Sequence, residues 1–239
     1  MRKLLMVGTC LGTLVACADV DSEDILTSGM FANLSVTADG SGDSEALATL
    51  RVGGAGSTTY VELSEGDDLT ASAGDGEGVA MEEYELLDYH GYKAVLPTDD
   101  PETEFNISLT RTVDEGAPNS TISIPAPFDI EDVPDSLDRS LDLPLNWSEV
   151  DPSLTLTVAT SGTCVEAYSD EIDNPEDGTV DVPALVPLEG EEDTSCEVTV
   201  TLRLRETGTI DSGYGGGEAF GYQVRSVTFL STPAAAVEN

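Results

Sequence analysis

The feature that most constrains the fold of this chain is a two-residue alternation of apolar and polar side chains, repeated in short segments from Phe31 to Thr228. Successive side chains of a β-strand point to opposite faces, so such segments are predicted to be strands with one buried face. Beyond the apolar N-terminal run, no window of ten or more residues has apolar side chains at helical spacing. We therefore predict an all-β protein. The first series of predicted strands comprises Leu34–Val36, Leu47–Arg51, Tyr60–Glu62, Leu69–Ala71, Tyr84–Leu86, Tyr92–Leu96, Phe105–Leu109 and Ile122–Ile124.

Turn-forming segments separate these strands. They contain glycine, which supplies positive φ, or proline, which fixes φ. Short strands with turns every eight to twelve residues or so are typical of β-sandwiches. The predicted turns are Asp39–Gly42, Gly53–Gly56, Glu65–Asp68, Asp75–Gly78, His90–Gly91 and Glu115–Asn119.

A proline-containing acidic stretch, Pro125–Asp135, divides the alternation into two series, and we interpret it as a domain boundary. The second series of predicted strands comprises Leu141–Trp147, Leu154–Val158, Val180–Val182, Val198–Leu204 and Phe220–Thr228. In the second series, Leu143–Ser148 followed by Leu154–Val158 resembles the tryptophan-bearing strand pair of immunoglobulin-like and fibronectin-like sandwiches. The resemblance implies two tandem immunoglobulin-like β-sandwich domains, residues 26–125 and 126–233, with a tail at 234–239. Trp147 is then expected to fill the core, and a sugar-stacking platform is the alternative.

The N-terminus predicts a cleaved signal peptide over residues 1–16. Its charged start precedes an apolar run that is too short to span a bilayer. The end of that run, Leu14-Val15-Ala16-Cys17, resembles the lipobox of bacterial lipoproteins, in which the cysteine receives a diacylglycerol and further acyl chains such as palmitate. The resemblance implies lipidation at Cys17, and Ala18 favours sorting to the outer membrane. Residues 17–25 are expected to form an acidic membrane tether.

The charge balance limits the partners of the chain. It has 47 acidic residues against nine Lys and Arg, and its formal net charge is -38. Such a polyanion would be repelled by phosphate backbones, so we exclude nucleic acid as a partner. The acidity has two interpretations: solvation in a salty medium, or binding of divalent cations. With a hydrophobic fraction of 39%, the chain can bury a core and is not expected to be disordered.

Two cysteines remain after the predicted lipid anchor, Cys164 and Cys196. In a chain directed out of the reducing cytosol, such a pair favours a disulfide. A thiol nucleophile is the alternative, and it would need a free cysteine beside a base.

Catalytic motifs are sparse. His90 is the sole histidine, which excludes zinc hydrolase motifs that need two imidazoles. A Ser–His–acid triad needs only one histidine and is therefore still possible. However, no Gly-x-Ser-x-Gly elbow occurs, and His90 is expected at a hairpin turn. The glycine-rich segment 213–217 lacks the lysine of phosphate-binding loops. No catalytic residue is therefore predicted.

Calcium binding is a further hypothesis, and no other cofactor is expected. Calcium prefers several oxygen ligands, and the densest group of candidates is Asp170, Asp173 and Asp177. The segment departs from the EF-hand pattern, because Ala184 stands where the twelfth-position acid is required. A solvated acidic loop is the alternative.

Taken together, these patterns predict a non-enzymatic, outer-membrane-anchored lipoprotein that acts as a structural or binding module of the cell envelope. Its partner would be the membrane through the lipid anchor, together with an envelope protein or glycan bound on loops such as 39–44, 64–68 or 169–178. One alternative is an envelope-polymer hydrolase that uses a carboxylate pair. A second is a calcium-stabilised adhesin.

Overall fold

A computed structural model describes residues 19–86, 89–101 and 103–234. The predicted signal peptide, Cys17, and residues 235–239 of the predicted tail lie outside these ranges. Within the described part of the chain, eighteen strands and three short 3₁₀ helices form. None of the helices described there has the length and apolar character that crossing a bilayer requires. The predicted all-β, sandwich-type fold is confirmed.

The first sandwich consists mainly of the strands that precede Pro125. Its two sheets have the strand orders β2-β3-β8-β7 and β10-β9-β5-β6, and β1 pairs in parallel with β4. Phe105, Ile107 and Leu109 of β9 are completely buried between the sheets, as their alternation predicted. The strands are β1 (Val20–Asp21), β2 (Met30–Ala38), β3 (Ser44–Val52), β4 (Val61–Glu62), β5 (Asp68–Ala73), β6 (Val79–Ala80), β7 (Glu82–Leu86), β8 (Tyr89–Leu96), β9 (Glu104–Thr110) and β10 (Ala117–Ser123). The 3₁₀ helices Ser22–Asp24 and Thr27–Gly29 lie between β1 and β2.

The second sandwich has the sheet orders β11-β13-β16 and β15-β14-β17-β18, and β12 pairs in parallel with β18. Trp147, on β13, is buried in its core, and its indole N–H donates to the carbonyl oxygen of Pro175 at 2.9 Å. The strands are β11 (Ile130–Glu131), β12 (Ser136–Asp138), β13 (Leu143–Trp147), β14 (Thr155–Gly162), β15 (Val165–Ile172), β16 (Thr179–Val182), β17 (Cys196–Thr207) and β18 (Gly216–Thr232). A 3₁₀ helix, Pro175–Asp177, precedes β16.

The two sandwiches share strand β18. Its residues 216–223 pair in parallel with β2 of the first sandwich, and its residues 220–231 pair antiparallel with β17 of the second. Ala219 and the preceding Tyr214 belong to the first core, whereas Phe229 belongs to the second. The range predicted as the second domain, 126–233, therefore also supplies part of the first core. One sheet runs continuously through both sandwiches.

In two strands some of the larger apolar side chains do not lie on the buried face. On β3 Leu47 is only half-buried, whereas Ala46, Ala48 and Leu50 are buried, as are Ser44 and Thr49. On β18 Phe220 and Tyr222 are partly exposed, while Ala219 is buried. On β18 small residues occupy the inner face because the opposite sheet approaches closely there. A Cβ added to Gly221 would lie 1.8 Å from the carbonyl oxygen of Ser123.

This close approach predicts that Gly221→Ala destabilises both sandwiches. The added methyl group forces β18 away from β10, and overpacking of this kind costs about 1–3 kcal/mol. Gly56→Ala is the matched control, because a Cβ at Gly56 would meet no atom within 4 Å. Urea denaturation followed by far-UV circular dichroism and by Trp147 fluorescence measures both effects. If Gly221→Ala leaves the midpoint at the wild-type value in both signals, the proposed close packing of β18 is contradicted.

Candidate functional site

The N-terminal segment is attached to the edge of the first sandwich. Strand β1 pairs with β4 in the register Val20 with Val61, and the Val20 N–H donates to the carbonyl oxygen of Tyr60 at 2.9 Å. Ser22 and Thr27, which follow β1, are completely or almost completely buried. The segment is thus part of the folded body from residue 19 onward.

A buried ion pair between Arg111 and Asp67 holds this segment. The Arg111 Nε atom lies 3.2 Å from Asp67 Oδ2, and both side chains are fully buried. The two terminal nitrogens of the guanidinium group donate to the N-terminal segment: Nη1 to the Thr27 hydroxyl at 2.8 Å, and Nη2 to the carbonyl oxygens of Ser22 and Ile25. One arginine therefore joins β9 and its following residues to the chain that precedes β2.

The Asp67 carboxylate accepts further hydrogen bonds from the Thr112 N–H at 2.7 Å, the Thr112 hydroxyl at 2.9 Å and the Ser22 hydroxyl at 2.8 Å. Burial by itself would raise the pKa of Asp67. The hydrogen bonds from Thr112 and Ser22 and the contact with Arg111 outweigh burial, so the pKa lies below its ordinary value. Asp67 is consequently ionised in the folded state.

Residues 19–25 of the predicted acidic membrane tether are described by the structure, and they are packed against the first sandwich. The sequence of this segment has no apolar periodicity, and apolar periodicity is the signal by which packed segments are recognised. The segment is held instead by hydrogen bonds to a side chain almost ninety residues further along the chain.

Loss of the Asp67 charge is predicted to lower the free energy of unfolding at neutral pH and to make that free energy less sensitive to acid. Asp67→Asn removes the fully buried counterion of Arg111 and leaves only the partly exposed Asp114, 3.5 Å from Nη1. Breaking a buried pair in this way costs about 3–5 kcal/mol at neutral pH. Because the folded pKa of Asp67 is lowered, its stabilisation is fully present above the unfolded carboxyl value of about 3.9 and is lost as the pH falls through the folded value. The free energy of unfolding of Asp67→Asn should therefore fall less steeply than that of the wild type below about pH 4.

Urea denaturation at a series of pH values checks this expectation. Asp68→Asn is the matched control, since Asp68 is the next residue and its side chain is exposed. Equal losses of stability for the two variants at pH 7 would show that the buried pair does not stabilise the fold.

A second polar cluster lies at the same edge of the sandwich, around His90. The prediction that His90 and Gly91 form a hairpin turn is wrong, because both residues belong to β8. The Nε2 atom of His90 is 3.5 Å from Asp19 Oδ2. The nearest carboxylate oxygens of Glu85 and Glu83 lie 3.7 Å from Nε2 and 4.0 Å from Nδ1, respectively. Donor atoms of Asp19, Glu62 and His90 all lie within 4.8 Å of one another. The sequence analysis did not find this group, because its members come from three distant segments.

The structure does not bring the three calcium candidates together. Asp170 lies on the edge strand β15, Asp173 in the following loop and Asp177 in a 3₁₀ helix, and all three side chains are exposed. Asp170 accepts a hydrogen bond from the Tyr168 hydroxyl at 3.2 Å. Among the residues that the structure describes, only the His90 cluster groups three or more potential metal ligands in this way.

The predicted disulfide between Cys164 and Cys196 is confirmed. The two Cα atoms lie 5.9 Å apart, and the bond connects the turn after β14 to the start of β17. The buried Arg139 lies beside it and donates to the carbonyl oxygens of Glu191 at 3.1 Å and Thr232 at 3.3 Å. These contacts hold the end of β18 against the disulfide-closed loop.

The few cationic side chains are used within the fold. Arg111 and Arg139 are buried, and each of the other five described cations lies within 6 Å of the centre of an aromatic ring. Two of these pairs lie side by side on the outer face of β17 and β18: Arg203 is 4.9 Å from the Tyr222 ring, and Arg205 is 5.0 Å from the Phe220 ring. This arginine and aromatic ladder, formed by those four residues, is a surface suited to stacking and to recognition of anionic groups.

An open cleft of about 570 Å³ lies between β9, the start of β10 and the residues before β18. Asp211 lines it and accepts hydrogen bonds from the N–H groups of Gly213 and Asn119, both at 2.7 Å. Burial would raise the pKa of Asp211, but these hydrogen bonds outweigh it and lower the pKa. A glycosidase-type carboxylate pair needs one protonated member, and Asp211 is unsuited to that role.

Of the three loops predicted to carry a ligand, only 39–44 is an exposed loop over most of its length. The loop 64–68 contains the buried Asp67, and residues 169–172 belong to β15. Parts of these two segments are thus used for packing or pairing, while Glu65, Asp173 and Asp177 are exposed.

No protein-family model matches the sequence, and no curated protein matches it either. Among solved structures, the chain is similar to the chicken CNTN1 FN1–FN3 domains, with 11% identity, a TM-score of 0.27 and coverage of 85% of this chain and 69% of that one. It is also similar to a two-domain fibronectin type III segment of chicken tenascin, with 13% identity, a TM-score of 0.25 and coverage of 84% and 97%. A cytokine receptor complex matches with 10% identity, a TM-score of 0.30 and coverage of 86% and 98%. Likenesses at this level carry no argument about function.

Proposed function

We propose that the protein is a non-enzymatic lipoprotein, anchored through Cys17 at the outer membrane, that serves as a structural or binding module of the cell envelope. The observation that carries this proposal is the docking of the N-terminal segment. Asp19, the second residue after the proposed acylated cysteine, already lies at the edge of the first sandwich. A span of two residues reaches about 7 Å.

With Cys17 acylated, such a short span would hold the first sandwich close to the membrane surface and would limit its rotation about the anchor. The Arg111–Asp67 pair and its bonds to Ser22, Ile25 and Thr27 transmit any pull on the lipid into β9 and the residues that follow it. Because β18 belongs to both sandwiches, the second sandwich is held in turn by the first. This arrangement suits a rigid spacer or presenting module.

A binding role is supported by the arginine and aromatic ladder of Arg203, Arg205, Phe220 and Tyr222. It lies where β18 pairs with both β2 and β17, and it combines aromatic rings with positive charge on an otherwise strongly acidic protein. Envelope glycans and envelope proteins both offer groups that such a surface recognises. The hydrogen bonding of Asp211 in the cleft argues against one catalytic role, that of the protonated member of a carboxylate pair.

Lipidation is tested by expressing the full chain in a bacterium with radiolabelled palmitate. We expect the label in the wild-type protein and in Cys10→Ser, and none in Cys17→Ser. Cys10 is the matched control because it lies within the same apolar run but outside the lipobox. Mass spectrometry of the N-terminus and separation of inner from outer membranes then determine the modified residue and the location. Wild-type protein that carries no label, or that is recovered from the cytosol, would refute the proposal.

A further inference from the structure

We infer that Asp19, Glu62 and His90 form a binding site for a divalent transition-metal ion of the zinc type, which clamps the N-terminal segment to the first sandwich. The three side chains come from separate segments: the residue before β1, strand β4 and strand β8. Strand pairing brings these segments to one edge of the sandwich. Strand β1 pairs with β4, and β3 both bridges to Tyr60, just before β4, and pairs with β8.

The distances suit a shared ion. Ligands that each lie about 2.0–2.1 Å from a tetrahedral zinc are separated by about 3.3 Å. The His90 Nε2 atom and Asp19 Oδ2 are 3.5 Å apart, and the Glu62 donor lies within 4.8 Å of both residues' donors. Small side-chain rotations therefore bring all three donors to bonding distance. The Glu85 oxygen, 3.7 Å from Nε2 on a largely exposed side chain, is available as a fourth ligand.

The local charge favours a divalent cation. Asp19, Glu83 and Glu85 all approach His90 within 4.0 Å, and Glu62 completes the group. Among the described residues, no lysine or arginine forms an ion pair with any of these four carboxylates. A divalent ion would neutralise part of this negative charge and convert repulsion between the carboxylates into shared coordination.

The other ring nitrogen supplies an independent indication. His90 Nδ1 is buried and has no hydrogen-bond partner. Metal-bound histidines usually donate this second N–H to a carboxylate, which fixes the ring orientation. The Glu83 oxygen, 4.0 Å from Nδ1, is placed to accept that bond when Nε2 is taken by the metal. The Tyr60 ring, whose centre lies 5.7 Å from that of the His90 ring, restricts the ring's movement.

The donor set also selects the class of ion. One imidazole nitrogen with carboxylates is a borderline set that zinc and its neighbours bind well. Calcium and magnesium prefer six or more oxygen ligands, and the group of three contains a nitrogen. We therefore expect zinc to bind much more tightly than calcium or magnesium.

A bound metal ion would cross-link Asp19, the first described residue, to strands β4 and β8. Strand β1 pairs with β4 over only two residues, Val20 and Asp21. A metal held by Asp19, Glu62 and His90 would add a bond on the N-terminal side of that short ladder. The inference does not rest on lipidation, since all three ligands belong to the folded sandwich edge.

The test is isothermal titration of the metal-free full chain with zinc, in detergent and with the Cys164–Cys196 disulfide formed. Thiolates of Cys10 and Cys17 also bind zinc, so the titration uses the Cys10→Ser/Cys17→Ser background, which also separates this test from that of lipidation. We expect one zinc per chain and a loss of affinity of at least about 100-fold in His90→Gln, Asp19→Asn and Glu62→Gln. The matched control, Asp170→Asn/Asp173→Asn/Asp177→Asn, removes three exposed acids and should retain wild-type affinity.

Hydrogen exchange gives a readout that does not depend on the variants folding. Zinc should slow exchange of the Val20 amide, which donates to Tyr60, by at least about tenfold, and calcium should not. Circular dichroism and Trp147 fluorescence check that each variant is folded. The inference is overturned if the background protein binds no zinc, if His90→Gln binds it as tightly as the background, or if zinc leaves exchange at Val20 unchanged.

Discussion

The 17-residue strand β18 is the constraint on which the rest of this structure depends. Its first half completes the sheet of the first sandwich, and its second half completes the sheet of the second. The opposite sheet approaches so closely that only glycine fits at position 221, and alanine at position 219 is already buried. Neither sandwich can therefore be closed without the C-terminal part of the chain, and the two cores are joined by one backbone rather than by a linker.

Electrostatics gives the second level of organisation. A chain with a formal net charge of -38 has strong self-repulsion, which the fold manages by leaving most carboxylates in solvent. The scarce cations are placed where they determine structure. Arg111 pairs with Asp67 and holds the N-terminal segment, and Arg139 holds the end of β18 beside the disulfide. Around His90 several carboxylates lie close together, and no arginine in the described part of the chain forms an ion pair with them. We propose that a metal ion compensates their charge instead.

Much of the fold could be predicted because alternation is a local signal. Each segment of the first predicted series coincides with or overlaps a strand, and the disulfide followed from cysteine number and compartment. Strand β15 was missed because only Val165 and Ile172 at its two ends are buried, so it has no apolar alternation to detect. The docking of residues 19–25 was not predicted for a related reason: it depends on Arg111, a side chain far along the chain. Asp170, Asp173 and Asp177 were predicted as calcium ligands because acidic residues are dense in this segment. The fold does not bring the three side chains together.

The amino-acid sequence by itself determined the β class, the positions of most strands and turns, the disulfide, and the predicted address of the chain. Each of these features depends on composition or on residues that are close together in the sequence. Short-range periodicity and spacing are therefore enough to predict them. Only the tertiary structure decided which face of β3 and β18 is buried, that one strand serves two sandwiches, and that residues 19, 62 and 90 meet. These features depend on pairings between strands far apart in sequence. No local pattern specifies such pairings; they are chosen by the packing of two sheets against each other.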